Sequence, residues 1–342
     1  MEQQDGHGDA SWCVFANFRI YIHRIAIYHQ LLPTCVPLAR LIDRTKENLA
    51  NNTKNLCNGG MYLDSQFLGV FNRSALAQIG IINDRQLKKS ISAGELNRIA
   101  RNWFALKNAN PRVVAAIHIG ARVGCLTGCS LFGIWVPRNT GIHYVLPVSR
   151  SRPAVTYRDN ACLHRVRRLI QDPIYSLDEC IKQVLQFHDR ETGFIILESA
   201  INQGLISLEN SRRYLESQTQ KKAALSKYLC ATSESGSESR VRLFFLLKRT
   251  HVQSQVQIDG IGRVDILVGR SLIIECDSAA YHSEYKRYIY DRQRDLAALS
   301  LGYKVIRLSY EQIWSSWEHT QGILSKALQA RIHRKFTYIR RA

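Results

Sequence analysis

The chain has 342 residues, of which 45% are hydrophobic and 22% are charged; this balance is typical of folded domains and excludes a chain that is disordered throughout. Its 47 Lys and Arg residues outnumber its 28 Asp and Glu residues, which gives a formal net charge of +19 and a pI near 9.7. No run of about 18 apolar residues is present, so we predict no membrane-spanning helix, and the N-terminal residues lack the pattern of a secretory signal. A charge of this sign favours a polyanionic partner, nucleic acid first, although a generally basic soluble protein has the same balance.

The nine cysteines are scattered along the chain. Cys125 and Cys129 form the closest pair, and no matching pair of His or Cys residues completes the spacing of a zinc site. An odd number of cysteines without a disulfide framework is typical of a reducing compartment. We therefore expect a cytoplasmic protein with buried thiols.

Residues 1–60 differ from the rest because they carry little of the positive charge and no recognisable motif. The two methionines are Met1 and Met61, and Met61 stands directly before a clear domain start. We expect residues 1–60 to be a poorly ordered extension or an over-long start assignment, with Met61 as the alternative start.

The pattern of residues 61–108 predicts a small helical unit that ends in a β-hairpin. A short helix is followed by a second one, from Arg85 to Ser90, which Asn83 or Asp84 can cap. Two short strands are expected around Arg98–Asn102. Helix, turn, helix and a basic hairpin is the order of a winged helix.

Residues 109–232 are predicted to connect this unit to the C-terminal part. Strand-like patches cover Val113–Ile119, Ile134–Val136 and His143–Val148, and a helical pattern runs from Ser176 to Leu229. This region gives no catalytic signal, so we expect it to serve spacing, dimerisation or the joining of the two ends. The Ser-rich stretch Thr232–Ser239 favours a linker.

Residues 233–330 have the order helix, three strands, helix, strand, helix. Ser235 and Glu238 have the spacing of a capping box that opens the first helix. A short mixed sheet flanked by helices is the expected outcome, and the whole chain is predicted to be a mixed α/β protein.

Three acidic residues stand in or beside two successive predicted strands: Asp265, Glu275 and Asp277. A buried acid is costly unless it is paired or bound to metal. A loop of three residues, Gly269-Arg270-Ser271, would place Asp265 directly opposite Glu275, whereas a two-residue turn would not. The functional interpretation therefore predicts the odd loop, with a bulge at Gly269.

Two carboxylates placed in this way favour a cation between them, and oxygen ligands suit Mg²⁺ or Mn²⁺. Such an ion polarises a phosphate and lowers the pKa of an attacking water. The alternative is that the acids pair with nearby arginines. These arginines are Arg263, Arg292, Arg294 and Arg307.

The C-terminal pattern resembles the Vsr-like branch of the PD-(D/E)XK nucleases over about 90 residues. The segments that carry this resemblance are Ser235–Arg242, Gln255–Ile258, Gly262–Gly269, Ile273–Ser278, His282, Asp291–Leu296 and Leu301–Leu308. The resemblance implies a DNA endonuclease or nickase whose metal ligands are Glu238, Asp265 and Glu275.

The nuclease pattern has Lys two residues after the second acid, where this chain has Asp277. The resemblance therefore leaves the general base open: we include Asp277 among the catalytic candidates, and His282 is a further acid/base candidate because the pKa of a free imidazole lies near neutrality. A surface position for His282 is the alternative. Arg292 and Arg294 are expected to contact DNA phosphates or to pair with acids of their own helix.

Residues 65–107 resemble the winged-helix antitoxin domain of the AbiEi abortive-infection, type IV toxin–antitoxin family. The matching segments are Val70–Leu76, Gly80, Asp84–Lys89, Ser92–Arg98 and Trp103–Leu106. The family implies double-stranded DNA as a partner, and a solvated basic face is the alternative. The expected DNA contacts are Arg85, Gln86, Lys88 and Lys89 on the recognition helix, and Arg98 and Arg101 on the wing.

The sequence thus predicts a metal-dependent DNA endonuclease or nickase that a winged helix recruits to DNA, in phage defence or DNA repair, with a toxin or defence-system protein as a further partner. The first alternative is a DNA-binding autoregulator or antitoxin whose nuclease-like domain is inactive. The second is a protein-interaction module in phage defence.

Overall fold

The computed structural model describes residues 68–138, 140–149, 161–277 and 285–334, with only the backbone of 285–290. This part of the chain is a mixed α/β fold, as predicted, with eleven α-helices and three small sheets. The predictions for residues 1–60 and for His282 lie outside the described residues. Among the described helices, none is both long and apolar enough to cross a membrane.

Ten strands are described, and each sheet is built from strands that are close together in the chain. They are β1 Val70–Asn72, β2 Leu96–Ala100, β3 Trp103–Leu106, β4 Arg122–Val123, β5 His143–Pro147, β6 Cys162–Val166, β7 Val252–Ile258, β8 Gly262–Val268, β9 Leu272–Cys276 and β10 Lys304–Leu308.

The helices are concentrated between the second and third sheets and around the third. They are α1 Asp84–Ser92, α2 Pro111–His118, α3 Cys125–Leu131, α4 Leu177–Phe187, α5 Arg190–Asn202, α6 Leu208–Glu216, α7 Gln220–Ala223, α8 Gly236–Leu247, α9 Tyr285–Ser300, α10 Tyr310–Trp314 and α11 Trp317–Gln329. Two 3₁₀ turns cover Ala75–Ile79 and Ser226–Tyr228.

The first region packs α1 against a sheet of order β1-β3-β2. The predicted hairpin is confirmed, since β2 and β3 pair antiparallel through a tight turn. Asn102 adopts φ 62° in that turn, a left-handed conformation that Asn tolerates better than most residues. Asn83 caps α1 in a reciprocal box with Gln86.

The middle region has a sheet of its own, of order β4-β5-β6, with β5 and β6 parallel. The strand predicted for Val113–Ile119 is wrong, because Pro111–His118 forms helix α2, and the strand predicted for Ile134–Val136 is wrong, because these residues form neither strand nor helix between α3 and β5. Asn110 accepts a hydrogen bond from the Arg112 amide and Pro111 occupies the first turn, which is a strong helix start. This region contains a large hydrophobic core, so it is a folded body rather than a spacer.

The linker predicted at Thr232–Ser239 is also wrong. Ser235 caps α8, and the side chain of Arg242 on that helix forms an ion pair with Glu198 on α5. Both residues are buried, and Glu198 also accepts the Cys230 amide at 2.9 Å. Helices α5 and α8 therefore join the middle and C-terminal regions across a packed interface.

The C-terminal sheet has the order β10-β9-β8-β7, in which only β9 and β10 are parallel. One face packs against α8, α10 and α11, and the other packs against α9. Val268 pairs with Leu272, so three residues join β8 to β9 and the predicted odd loop is confirmed. Gly269 has φ 62° at its start.

We predict that Glu198→Leu destabilises the protein by about 3–5 kcal/mol, because it leaves the buried Arg242 guanidinium without a counter-charge. The double variant Glu198→Leu/Arg242→Met should recover much of this loss, because no charge remains buried. Urea denaturation followed by tryptophan fluorescence measures both. The control is Arg213→Met, which removes the exposed pair with Glu209 and should cost less than about 0.5 kcal/mol. Equal losses in all variants would contradict the prediction.

Candidate functional site

Glu238 enters the site from the first turn of α8. The Ser235 hydroxyl accepts the Glu238 amide at 3.2 Å, which fixes the helix start, and the Glu238 carboxylate accepts the Glu234 amide at 2.9 Å. Glu238 is 5% exposed. The local sequence thus sends a buried acid towards the sheet, where its charge lacks the solvation of bulk water.

Asp265 and Glu275 lie on neighbouring antiparallel strands. The pairing of β8 with β9, continued by one residue, places them directly opposite each other, and Glu275 Oε2 lies 3.4 Å from the Asp265 amide nitrogen. Asp265 Oδ2 accepts the Cys276 amide at 2.8 Å. Like charges in directly opposed positions destabilise a sheet, so a positive charge nearby would stabilise this pair.

Gln255 contacts two of these acids. Its Nε2 lies 2.8 Å from Glu238 Oε2 and 3.5 Å from Asp265 Oδ1. Gln255 has φ 53° inside β7, a conformation that is rare for a non-glycine residue and that marks strained functional positions.

The strain coincides with a break in the sheet's alternation. Val264 and Ile266 would share one face of a regular strand. Here Val264 packs in the core under α9 and Ile266 in the core under α8. Asp265, between them, therefore lies where the two cores meet.

We call Glu238, Asp265 and Glu275 the acidic group. Burial and the nearby charge of Asp265 raise the pKa values of its two glutamates. Burial and the charge of Asp265 raise the pKa of Glu275 to about 7, and Arg294 acts in the opposite direction. Burial, and to a smaller extent Asp265, raises the pKa of Glu238. The ionised form of each glutamate is therefore less stable than that of a glutamate in water.

Arg292 and Arg294, which were predicted to contact DNA phosphates or to pair with acids of their own helix, both form ion pairs. Arg294 Nη2 lies 3.1 Å from Glu275 Oε1, and its Nε donates to the Ile261 carbonyl at 3.1 Å. Arg292 lies 3.0 Å from Asp295 on the same helix. Arg294 thus belongs to the acidic group's surroundings rather than to the open surface.

Asp277 lies beside the acidic group and is exposed. It forms an ion pair with Arg307 at 3.4 Å, and Arg307 also binds Asp295 at 2.9 Å. Arg307 stands opposite Glu275 in the parallel pairing of β9 and β10. Asp277, one of the catalytic candidates from the sequence, is therefore held by a guanidinium. His282 cannot be placed, because it lies outside the described residues.

The donor set of the acidic group fits a divalent cation in type, although these three acids are not among the described residues whose ligand atoms all lie within 4.8 Å of one another. It consists of carboxylate oxygens from two strands and one helix, which is the ligand type that Mg²⁺ and Mn²⁺ prefer. The raised pKa of Glu275, caused in part by Asp265, is the electrostatic counterpart of this fit, because a cation would stabilise both anions.

The residues predicted to contact DNA in the first region are exposed, but the side chain of one of them, Gln86, has partners within the protein. Gln86 accepts the amides of Ile82 at 2.8 Å and Asn83 at 3.3 Å, so its side chain caps α1. The exposed cations are Arg85, Lys88 and Lys89 on α1, and Arg98 and Arg101 on the hairpin.

Sequence reasoning missed Gln255 and the contact of Arg294 with Glu275. The sequence signals for Gln255 were its place in the segment Gln255–Ile258, which carries part of the resemblance, and its position beside the strand that carries Asp265. Its contact depends on a left-handed backbone that no propensity predicts. The contact of Arg294 depends on where α9 packs.

No protein-family model matches this sequence, and a comparison with curated proteins finds no significant match. Function is therefore inferred from the residues themselves.

We predict that the metal-free protein loses stability as pH rises. The pKa of Glu275 in the folded state is about 7, above its ordinary value of 4.5. The stability from this group is therefore full below about pH 4.5 and lost as pH passes about 7. Glu275→Gln should melt higher than wild type at about pH 8 and similarly at about pH 5, as measured by thermal melting in EDTA.

The matched control for this prediction is Glu318→Gln, on the exposed side of α11, whose melting temperature should follow that of wild type at both pH values. A Glu275→Gln protein that melts lower than wild type at the higher pH would contradict the prediction.

Proposed function

We propose that the protein is a metal-dependent DNA endonuclease or nickase. The observation that carries the proposal is the proximity of Glu238, Asp265 and Glu275: Asp265 stands opposite Glu275 in the sheet, and Gln255 contacts both Glu238 and Asp265. The resemblance of this region to Vsr-like PD-(D/E)XK nucleases points to the same three residues. The strong positive charge of the chain suits a phosphate substrate.

Each residue then has a separate task. The three carboxylates hold a divalent cation, and such an ion supplies the polarisation of a phosphate and the acidification of a water. Asp265 is oriented by the Cys276 amide. Gln255 separates the Glu238 and Asp265 carboxylates, and Arg294 balances the charge of Glu275.

DNA is proposed to bind over two basic surfaces. One is the face of α1 and the β2–β3 hairpin, where the exposed cations are free of the hydrophobic core. The other is an open groove of about 930 Å³. Basic side chains that line it are Lys248, Arg249, His251, Arg270 and Arg334. Arg270 lies in the loop between β8 and β9, so the groove lies at that end of the strands that bear Asp265 and Glu275, and no residue of the acidic group lines it.

The second candidate function is a DNA-binding regulator or antitoxin whose nuclease-like domain is inactive. One observation favours it: Arg294 already binds Glu275, and Gln255 already contacts Glu238 and Asp265. These contacts compete with a cation for the same oxygens. The two functions differ in whether metal ions bind the acidic group at all.

We expect purified protein to nick or cut plasmid DNA with Mg²⁺ or Mn²⁺. Asp265→Asn and Glu275→Gln should each lower the rate by more than about 100-fold, because removal of a metal ligand removes several kcal/mol of transition-state stabilisation. Mg²⁺ or Mn²⁺ should also raise the melting temperature of wild type but not that of either variant.

The matched control is Asp259→Asn, in the exposed turn between β7 and β8, which should keep both the activity and the metal-induced shift. Wild-type protein that cuts no DNA, mismatched and modified substrates included, and that melts at one temperature with or without metal would support the regulator instead.

We also predict that Arg98→Ala and Arg101→Ala weaken binding to duplex DNA evenly across sequences. Each substitution that removes a phosphate contact should reduce the slope of log K against log salt concentration by about 1. Fluorescence anisotropy over a salt series measures this. Arg212→Ala removes an exposed charge from α6 and should leave the slope unchanged. Wild-type slopes in both hairpin variants would exclude the hairpin from the interface.

A further inference from the structure

A second cluster of ligand-type side chains lies in the middle region, far in sequence from the acidic group. Cys125, His143, His164 and His188 bring one ligand atom each to a common point, and these atoms all lie within 4.8 Å of one another. Cys125 Sγ is 3.2 Å from His188 Nε2, and His143 Nδ1 is 3.0 Å from His164 Nε2. Cysteine spacing alone predicted no such site.

The fold, rather than any local motif, assembles this cluster. Cys125 is the first residue of α3, His143 begins β5, His164 lies in the middle of β6, and His188 follows the last turn of α4. The parallel pairing of β5 with β6 brings the two strand histidines side by side.

The backbone at Cys125 is unusual. It has φ 51° at the start of α3, with Gly124 between it and strand β4, and its amide donates to the Gln183 side chain at 2.8 Å. A non-glycine residue in this conformation is strained, and such strain persists at positions that surrounding contacts enforce, often functional ones. Here it aims the thiol at the three imidazoles.

The ring of His143 is oriented for metal binding. Its Nε2 lies 3.0 Å from the Thr140 carbonyl, and a carbonyl can only accept, so this nitrogen carries the proton. The Nδ1 lone pair consequently faces His164 Nε2. A histidine that donates its outer N–H to a backbone carbonyl is the usual arrangement around a bound metal.

The cluster is closed to solvent on most sides. Cys125, His143 and His164 are 0%, 2% and 6% exposed, and the Phe187 ring stacks on His164 with ring centroids 4.4 Å apart. Only His188 is half-buried.

We propose that Cys125, His143, His164 and His188 bind one zinc ion. One thiolate and three imidazoles form the nitrogen and sulfur donor set of tetrahedral zinc, and they differ from the oxygen donors of the acidic group. Four protein ligands occupy every tetrahedral position, which is the pattern of a structural site. The ion ties α3 and the end of α4 to the sheet, so it stabilises the body that carries Glu198.

The test begins with untagged protein purified without added metal. Elemental analysis should find one zinc per chain, and replacement by Co²⁺ should give the visible spectrum of tetrahedral cobalt with a thiolate ligand. A zinc-selective chelator should lower the melting temperature, and Zn²⁺ but not Mg²⁺ should restore it.

Cys125→Ser and His164→Asn should each lose the stoichiometric zinc. With Co²⁺, Cys125→Ser should lose the thiolate–cobalt spectrum, and His164→Asn should lose the tetrahedral bands. Cys129→Ser, one turn further along α3 and also buried, and His118→Asn, exposed on α2, should retain the wild-type zinc content. If a ligand variant does not fold, the chelator and cobalt experiments on wild type decide the question.

Purified wild type without zinc that takes up neither Zn²⁺ nor Co²⁺ would overturn the proposal. Rapid alkylation of Cys125 by iodoacetamide in such protein would identify a Cys–His nucleophile in its place. Zinc loss in Cys129→Ser equal to that in Cys125→Ser would also overturn it, because Cys129 has no ligand atom in the cluster.

Discussion

The buried ion pair between Glu198 and Arg242 controls how the middle and C-terminal regions fit together. Both side chains are buried, and either charge without the other would strongly destabilise the folded state. Arg242 stands one helical turn after Glu238 on α8. The contact that anchors α8 to α5 therefore also sets the position of Glu238 relative to the other two members of the acidic group.

Aromatic packing supports the same junction. The Trp135 and Trp314 rings are tilted against each other, with centroids 5.0 Å apart, and a Cβ on Gly236 would lie 2.2 Å from the Trp135 ring. The start of α8 thus requires a glycine because of this close approach. Arg240 lies over Trp314 at 4.5 Å and pairs with Glu191 at 3.1 Å. The proposed catalytic helix is consequently held from both sides.

The two candidate metal sites differ in the chemistry of their donors. The acidic group offers oxygens at the meeting point of two cores, beside an arginine that binds Glu275. The Cys–His cluster offers nitrogen and sulfur in a closed setting. Hard cations favour the first set and zinc favours the second. Under this assignment, one ion would act on a substrate and the other would hold the body on which α8 is anchored.

The sequence by itself determined the local features. It predicted the β2–β3 hairpin, the Ser235 cap of α8 and the odd loop that sets Asp265 opposite Glu275, because capping residues and strand parity act within a few positions. It failed at Val113–Ile119, where the Asn110-Pro111 start outweighed an apolar run that looked like a strand. It also failed at Thr232–Ser239, where tertiary packing buries serines that composition assigns to a linker.

Only the tertiary structure decided which distant residues meet. Gln255 contacts the acidic group through a left-handed residue, Arg294 reaches Glu275 because α9 packs across the sheet, and Cys125 joins three histidines from separate elements. None of these contacts has a fixed sequence spacing. Each arises from the burial of apolar faces elsewhere, which brings the polar groups together as a consequence.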